Sequence, residues 1–182
     1  DKGDQVLFFL NRRGYAPFVI CNNCGIKFEC PNCTVNLNFY KKINKLLCHY
    51  CGYKSLLVRN CKDKVKCDLQ FCGPGVERIF AELRKIYPEK KIEIFSSDTL
   101  KKNEIASDLL SKVEKKKIDI LIGTQLLSKG FHFPRLNCIV VVDGNFSSHG
   151  YDLRSAEKNI QLYYQLSGRA GREGNISTVF FQ

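Results

Sequence analysis

Nine of the chain's ten cysteines lie between Cys21 and Cys72. They run Cys21-x2-Cys24-x5-Cys30-x2-Cys33-x14-Cys48-x2-Cys51-x9-Cys61-x5-Cys67-x4-Cys72. A two-residue gap lets a tight turn aim two sulfurs at one ion, about 2.3 Å from each, so three such pairs predict tetrahedral thiolate sites. Zinc is the ion that suits them. Iron–thiolate electron transfer is the weaker alternative, because nothing else in the chain suits redox work. The tenth cysteine, Cys138, stands alone on a buried-strand pattern and reads as a small core hydrophobe.

Two other stretches carry side chains suited to phosphate. Gly123-Thr124-Gln125-Leu126-Leu127-Ser128-Lys129-Gly130 follows an apolar run. Gly123 permits close backbone approach, while Thr124, Ser128 and Lys129 offer hydroxyls and charge to phosphate oxygens. Gln165-Leu166-Ser167-Gly168-Arg169-Ala170-Gly171-Arg172 sets two arginines three apart among glycines, a rigid fork for phosphates. Taken alone, the first is also a plain polar loop and the second a glycine-stopped helix end. There is no Gly-x4-Gly-Lys-Ser/Thr cradle, and Asp143 is followed by Gly144 and Asn145 instead of the acidic pair that would hold Mg2+. The chain therefore cannot hydrolyse ATP by that chemistry alone. His49, His132 and His149 are isolated and read as solvated.

These residues need a frame. Gln5–Leu10, Phe18–Ile20, Ile92–Phe95, Ile118–Ile122, Ile139–Val142 and Thr178–Phe181 are short apolar runs of the strand type. Val76, Ile79, Phe80, Leu83 and Ile86 share one helical face, closed by Pro88. A second helix carries Ile105, Leu109, Leu110 and Val113, and a third spans about Arg154 to Leu166. Strands alternating with amphipathic helices predict a parallel α/β sheet with helices on both faces. Within the cysteine segment, Val35, Leu37 and Phe39 alternate as in a small hairpin. The expected division is 1–20, the start of an α/β lobe; 21–72, a zinc-binding insertion; and 73–182, the remainder of the lobe.

Lys and Arg total 29 against 18 for Asp and Glu, a net charge of +11 and a pI near 9.2. That excess favours a polyanionic partner, nucleic acid before membrane. No run approaches the ~20 apolar residues of a membrane span. Val6–Leu10 is too short for a span or a signal peptide, so a reducing, cytoplasmic compartment is expected, where paired cysteines favour metal over disulfides. The chain has no Met, even at position 1, which points to an excised segment.

Together these motifs resemble the second motor lobe of the primosomal protein N′ family, bacterial replication-restart helicases of superfamily 2. Leu10-Asn11-Arg12-Arg13-Gly14-Tyr15-Ala16-Pro17 looks like that lobe's opening. Ile122–Gln125 with Lys129-Gly130 and Phe133-Pro134 is similar to motif V, and Gln165–Arg172 to motif VI, preceded by Asp152-x-Arg154-x2-Glu157. The resemblance covers essentially the whole chain. It implies an ATP-dependent, 3′ to 5′ DNA helicase that restarts stalled forks and helps assemble the primosome, with Walker A and the Mg2+-binding pair in a preceding lobe. By the same resemblance Arg172 would reach the γ-phosphate across the lobe cleft, as arginine fingers do, and Arg169 and Gln165 would help fix phosphate and attacking water. Gly130 and Gly168 would line the ATP and Mg2+ cleft. Gly123, Thr124, Gln125 and Lys129 would meet the DNA backbone. His132 stands where many related helicases carry Asp. Implied partners are forked, single-stranded and duplex DNA, primosome proteins, single-strand-binding protein and the preceding lobe, with no membrane.

The resemblance further implies two nested zinc ions. The inner set is Cys30, Cys33, Cys48 and Cys51; the outer joins Cys21 and Cys24 to Cys61 and a fourth ligand. Three residues past Cys61, where the family closes its last pair, stands Lys64, whose ammonium has no lone pair. Cys67 is the nearest replacement and Cys72 the next. Tyr40, Tyr50 and Tyr53 with Lys41, Lys42 and Lys45 are of the type that stacks bases and tracks phosphates. The alternative to a motor lobe is a zinc-stabilised module that binds nucleic acid or protein without a motor role.

Overall fold

A computed structural model of the chain describes residues 5–10, 14–58, 60, 66–96, 103–115, 117–124, 133, 136–142, 155–168 and 177–182. The chain divides into two compact units, Asp1–Asn11 with Glu82–Gln182, and Arg12–Ala81.

The first unit is built on a parallel sheet. Its strands are β1 (Gln5–Phe9), β7 (Ile92–Phe95), β8 (Ile120–Gly123), β9 (Leu136–Val141) and β10 (Thr178–Phe181), in the order β10-β9-β1-β8-β7. Every pairing among them is parallel. All four residues of β8 are buried, as expected of a central strand covered on both faces. The helices α2 (Asn103–Glu114) and α3 (Ser155–Ser167) connect β7 to β8 and β9 to β10. Both crossovers step one strand in the same direction, so right-handed connections put both helices on the same face. The packing agrees. Register places Leu7, Leu121 and Ile139 side by side, with Phe9 beside Val141. These residues share one buried cluster with Leu109 and Val113 of α2 and Leu162 and Leu166 of α3. Each such side chain contributes about 1.5–3 kcal/mol through burial.

One polar residue enters this core. Gln5 is 2% exposed, and its Nε2 donates to the carbonyls of Ile118 at 2.9 Å and Val113 at 3.4 Å. It thereby ties β1 to the carboxyl end of α2 and to the approach to β8.

The second unit holds the cysteine segment and two small antiparallel sheets. Phe18–Cys21 (β2) pairs with Leu69–Cys72 (β6), and Asn38–Tyr40 (β3), Lys45–Leu47 (β4) and Lys54–Leu56 (β5) form the order β3-β4-β5. The alternation at Val35, Leu37 and Phe39 thus leads into a three-strand sheet, one strand more than the expected hairpin. β6 has no strong apolar signature, and its pairing with β2 is a long-range contact that local pattern does not specify. A small core joins Ala16, Val19, Leu37, Phe39 and Leu46 to the sulfur-bearing Cys30 and Cys48. Tyr15, Phe39 and Phe71 meet edge-on or tilted, with ring centroids 4.6–6.2 Å apart.

A third helix, α1, spans Val76–Ile86, with Glu77 in its first turn and Arg84 and Lys85 in its last, matching the helix dipole. Of its expected apolar face, Val76 and Leu83 are buried, but Ile86 is 64% exposed. It sits in the last turn before Pro88, where the helix ends. No helix among the described residues is long and apolar enough to cross a membrane.

Candidate metal centre

Two turns present the four inner sulfurs. The Sγ atoms of Cys30, Cys33, Cys48 and Cys51 all lie within 4.8 Å of one another, and the Cys30–Cys51 pair is 3.5 Å apart. Four sulfurs about 2.3 Å from a central ion stand about 3.8 Å from each other, so these thiols fit tetrahedral zinc. Among the described residues this is the one set of three or more metal-capable donors so close together. Cys30 and Cys48 are buried, Cys33 is half-buried and Cys51 exposed.

The four thiols do not share one acidity. The backbone amide of Tyr53 donates to Cys51 and, with the neighbouring thiols, holds it down to about 6. Cys33 is pushed up to about 12, first by its hydrogen bond to Cys51 and then by desolvation. Burial raises Cys30. The cluster thus offers a ready thiolate at Cys51, and an arriving dication would displace protons from the remaining thiols. Asn32 Nδ2 adds a 3.8 Å contact to Cys51 Sγ.

The turns themselves are of one kind. The amide four residues past the first cysteine donates to that cysteine's carbonyl: Gly25 to Cys21 at 2.8 Å, Thr34 to Cys30 at 3.1 Å and Gly52 to Cys48 at 3.1 Å. Each first cysteine in turn donates its amide to the carbonyl five residues on, at Ile26, Val35 and Tyr53. The fourth-on residue lies in the left-handed region each time, with φ of 69° at Gly25, 51° at Thr34 and 76° at Gly52. Glycine takes that conformation freely, while β-branched Thr34 does so under strain. Cys21–Cys24 is therefore shaped as a metal knuckle although its thiols lie outside the inner cluster. Three Cys-x2-Cys spacings foretold the turns; the left-handed Thr34 carried no sequence signal.

The remaining expected site residues divide by place. Gly123 ends β8 and Thr124 follows it, both buried, and Thr124 donates its amide to the Phe95 carbonyl at 3.3 Å. Ser96, at the end of the neighbouring strand, is 3% exposed and was not singled out from sequence. Gln165 lies exposed on α3, and Gly168 follows that helix, its amide donating to the Tyr164 carbonyl. Gln125, Lys129, Gly130, Arg169 and Arg172 lie outside the described residues, as do Cys61 and Lys64. Cys138 is half-buried on β9, where desolvation raises its thiol. His49 is exposed, its Nε2 sharing a 3.2 Å hydrogen bond with the Tyr40 hydroxyl.

Fold and site define a class: an α/β protein with a parallel sheet flanked by helices, carrying a Cys-rich zinc-binding subdomain. Residues 30–55 match the family described as the PriA DNA helicase Cys-rich region (CRR) domain. Over its full length the chain is 44% identical to the replication restart protein PriA of Rickettsia felis, covering 28% of that protein. It is 37% identical to replication restart protein PriA of Bacillus subtilis, covering all of this chain and 22% of the relative. The resemblance to the replication-restart helicases thus holds from end to end. The chain spans little more than a quarter of the first of these relatives. Among solved structures, the C-terminal part of the Fun30 ATPase domain gives a TM-score of 0.48 at 13% identity, covering all of this chain and 35% of that one, a loose likeness.

Proposed function

We propose that this chain is the second motor lobe of an ATP-dependent, 3′ to 5′ DNA helicase that restarts stalled replication forks and helps assemble the primosome. The observation that carries this reading is the end-to-end similarity to replication restart protein PriA, joined to four convergent thiols inside the matched Cys-rich region. The lobe works with a preceding lobe that supplies Walker A and the Mg2+-binding pair, so this chain alone does not turn over ATP. Residues 1–20 and 73–182 form the lobe, and 21–72 its zinc-binding insertion. The protein acts in the cytoplasm.

In this reading the carboxyl ends of the parallel strands form the working edge. Ligands of open parallel sheets bind there, and Gly123 and Thr124 lie at that edge. They, with Gln125 and Lys129, meet the DNA backbone. Gln165, Arg169 and Arg172, beside Gly130 and Gly168, bind and stabilise the phosphates of ATP. Held zinc would supply folding free energy to the ribbon, and Cys30, Cys33, Cys48 and Cys51 would hold it.

The ribbon contributes to strand separation or to docking of primosome and single-strand-binding proteins. Register puts Tyr40, Lys45 and Leu56 in one row on the face opposite Phe39 and Leu46, and Tyr50 is 77% exposed. An exposed aromatic beside lysines suits single-stranded DNA.

The test is steady-state ATPase with single-stranded DNA. The isolated chain is expected to give no turnover, and Arg172→Ala in the full-length protein to lower kcat by about 1,000-fold or more. Turnover by the isolated chain, or an unchanged kcat in the variant, would contradict the motor role.

A further inference from the structure

We infer that Cys67 supplies the fourth thiolate of a second zinc site with Cys21, Cys24 and Cys61, replacing the ligand that Lys64 cannot provide. The inference rests on the Cys-rich segment being a zinc ribbon and is independent of the motor role.

The first support is the turn at Cys21–Cys24. It repeats the two inner turns bond for bond, down to the left-handed residue after the second cysteine. Two thiols on such a turn make half of a tetrahedral site, and structural zinc sites are closed by four protein ligands.

The second support is where the chain brings Cys67. The β2–β6 ladder pairs Cys21 with Leu69, and it continues past that pair. The amide of Asn22 donates to the Asp68 carbonyl at 2.8 Å, and Asn22 Nδ2 donates to Asp68 Oδ2 at 2.9 Å. Asn23 Nδ2 donates to the Lys66 carbonyl at 3.1 Å. The two residues between Cys21 and Cys24 thus grip the two residues flanking Cys67. An antiparallel bridge between Asn60 and Lys66 then closes the loop whose ends are followed by Cys61 and Cys67. One hydrogen-bonded corner therefore gathers the Cys21–Cys24 turn, Cys67 and the residue before Cys61.

The same ladder excludes Cys72. It stands opposite Phe18, three residues along the strand from the position opposite Cys21. At about 3.4 Å per residue that is about 10 Å away, beyond the reach of a thiolate in a site about 2.3 Å in radius. The Cys72 thiol instead faces the Gln70 carbonyl, with Sγ 3.7 Å from the oxygen. Cys21 is buried and Cys67 half-buried, while Cys24 is exposed. The described thiols of this half stand less close together than the inner four, so closure of the site draws them inward.

Zinc content and cobalt substitution of the whole chain test the inference. The unmodified chain is expected to hold two ions, and its cobalt form to show two tetrathiolate centres. Cys67→Ser should keep the inner ion and weaken the second by more than about 100-fold in chelator competition, exceeding the cost of losing a supporting outer partner. Retention of the inner cobalt spectrum shows that the ribbon has folded in that variant. Cys72→Ser should hold both ions as before. Two ions bound with unchanged affinity in Cys67→Ser, a single ion in the unmodified chain, or loss of the second ion in Cys72→Ser would overturn the assignment. A Cys30→Ser variant that keeps the second ion, read by the same cobalt bands, shows that this site stands apart from the inner one. ATPase enters none of these readouts, so failure of the motor reading leaves the assignment intact.

Discussion

The two units of this chain are held together by different forces. The parallel sheet packs Leu7, Phe9, Leu121, Ile139 and Val141 against two helices, and its interior is apolar save for Gln5. The 12–81 unit has few large side chains, and two of its core members are the ligand cysteines Cys30 and Cys48. Its strands β3, β4 and β5 are three residues each, too short to cohere by pairing alone. The first unit is stabilised by burial, the second by metal. A small segment that cannot bury enough apolar surface needs a staple of this kind.

The largest way to break this contrast is at the inner thiolates. Cys48→Ser should abolish inner-site zinc and unfold the ribbon, because structural zinc supplies about 10 kcal/mol or more of apparent folding energy in small domains. Metal analysis and near-UV circular dichroism would read both losses. Next in size is the opposite cut, in the sheet. Leu121→Ala should cost about 2–5 kcal/mol in denaturant unfolding while leaving the zinc content unchanged.

Gly75→Ala probes backbone packing inside the ribbon unit. An added Cβ would stand 2.2 Å from the Gly14 carbonyl oxygen and 2.8 Å from that of Tyr15, so backbone must shift. A loss of about 3 kcal/mol is expected by chemical denaturation. Thr34→Gly should act in the other direction. It relieves a β-branched residue at φ 51° and should add about 1 kcal/mol.

The smallest effect is one of proton count. Cys51, held at about 6 by the Tyr53 amide, carries its proton below that pH and has lost it above. Zinc binding to the inner site should therefore release about one more proton below pH ~6 than above it, and affinity should weaken on acidification. Calorimetry of a Cys21→Ser/Cys24→Ser chain in buffers of different ionisation enthalpy measures the difference.

The contrast between the units also explains what could be read from sequence. Apolar runs at Gln5–Phe9 and Thr178–Phe181, and the helix face of Leu109 and Val113, are local patterns that the sheet reproduces. Strand order and the shared face of α2 and α3 depend on crossover handedness, which no local pattern carries. In the ribbon, Cys-x2-Cys spacing specified the inner four ligands because two turns suffice to aim them. The fourth outer ligand was left between Cys67 and Cys72, since spacing says nothing of which strand β2 pairs with. The ladder from Phe18–Cys72 to Cys21–Leu69 resolves it, because distance along a strand is a matter of pairing. Ile86 failed as a core residue because periodicity continues to a helix end where packing has already stopped.

Amide hydrogen exchange of the whole chain, before and after zinc is removed by a strong chelator, tests the division most directly. The account predicts that protection in β2 to β6 is lost with the metal, whereas β1, β8 and β9 retain theirs. Ribbon strands that stay protected without metal, or a sheet that loses protection together with them, would contradict it.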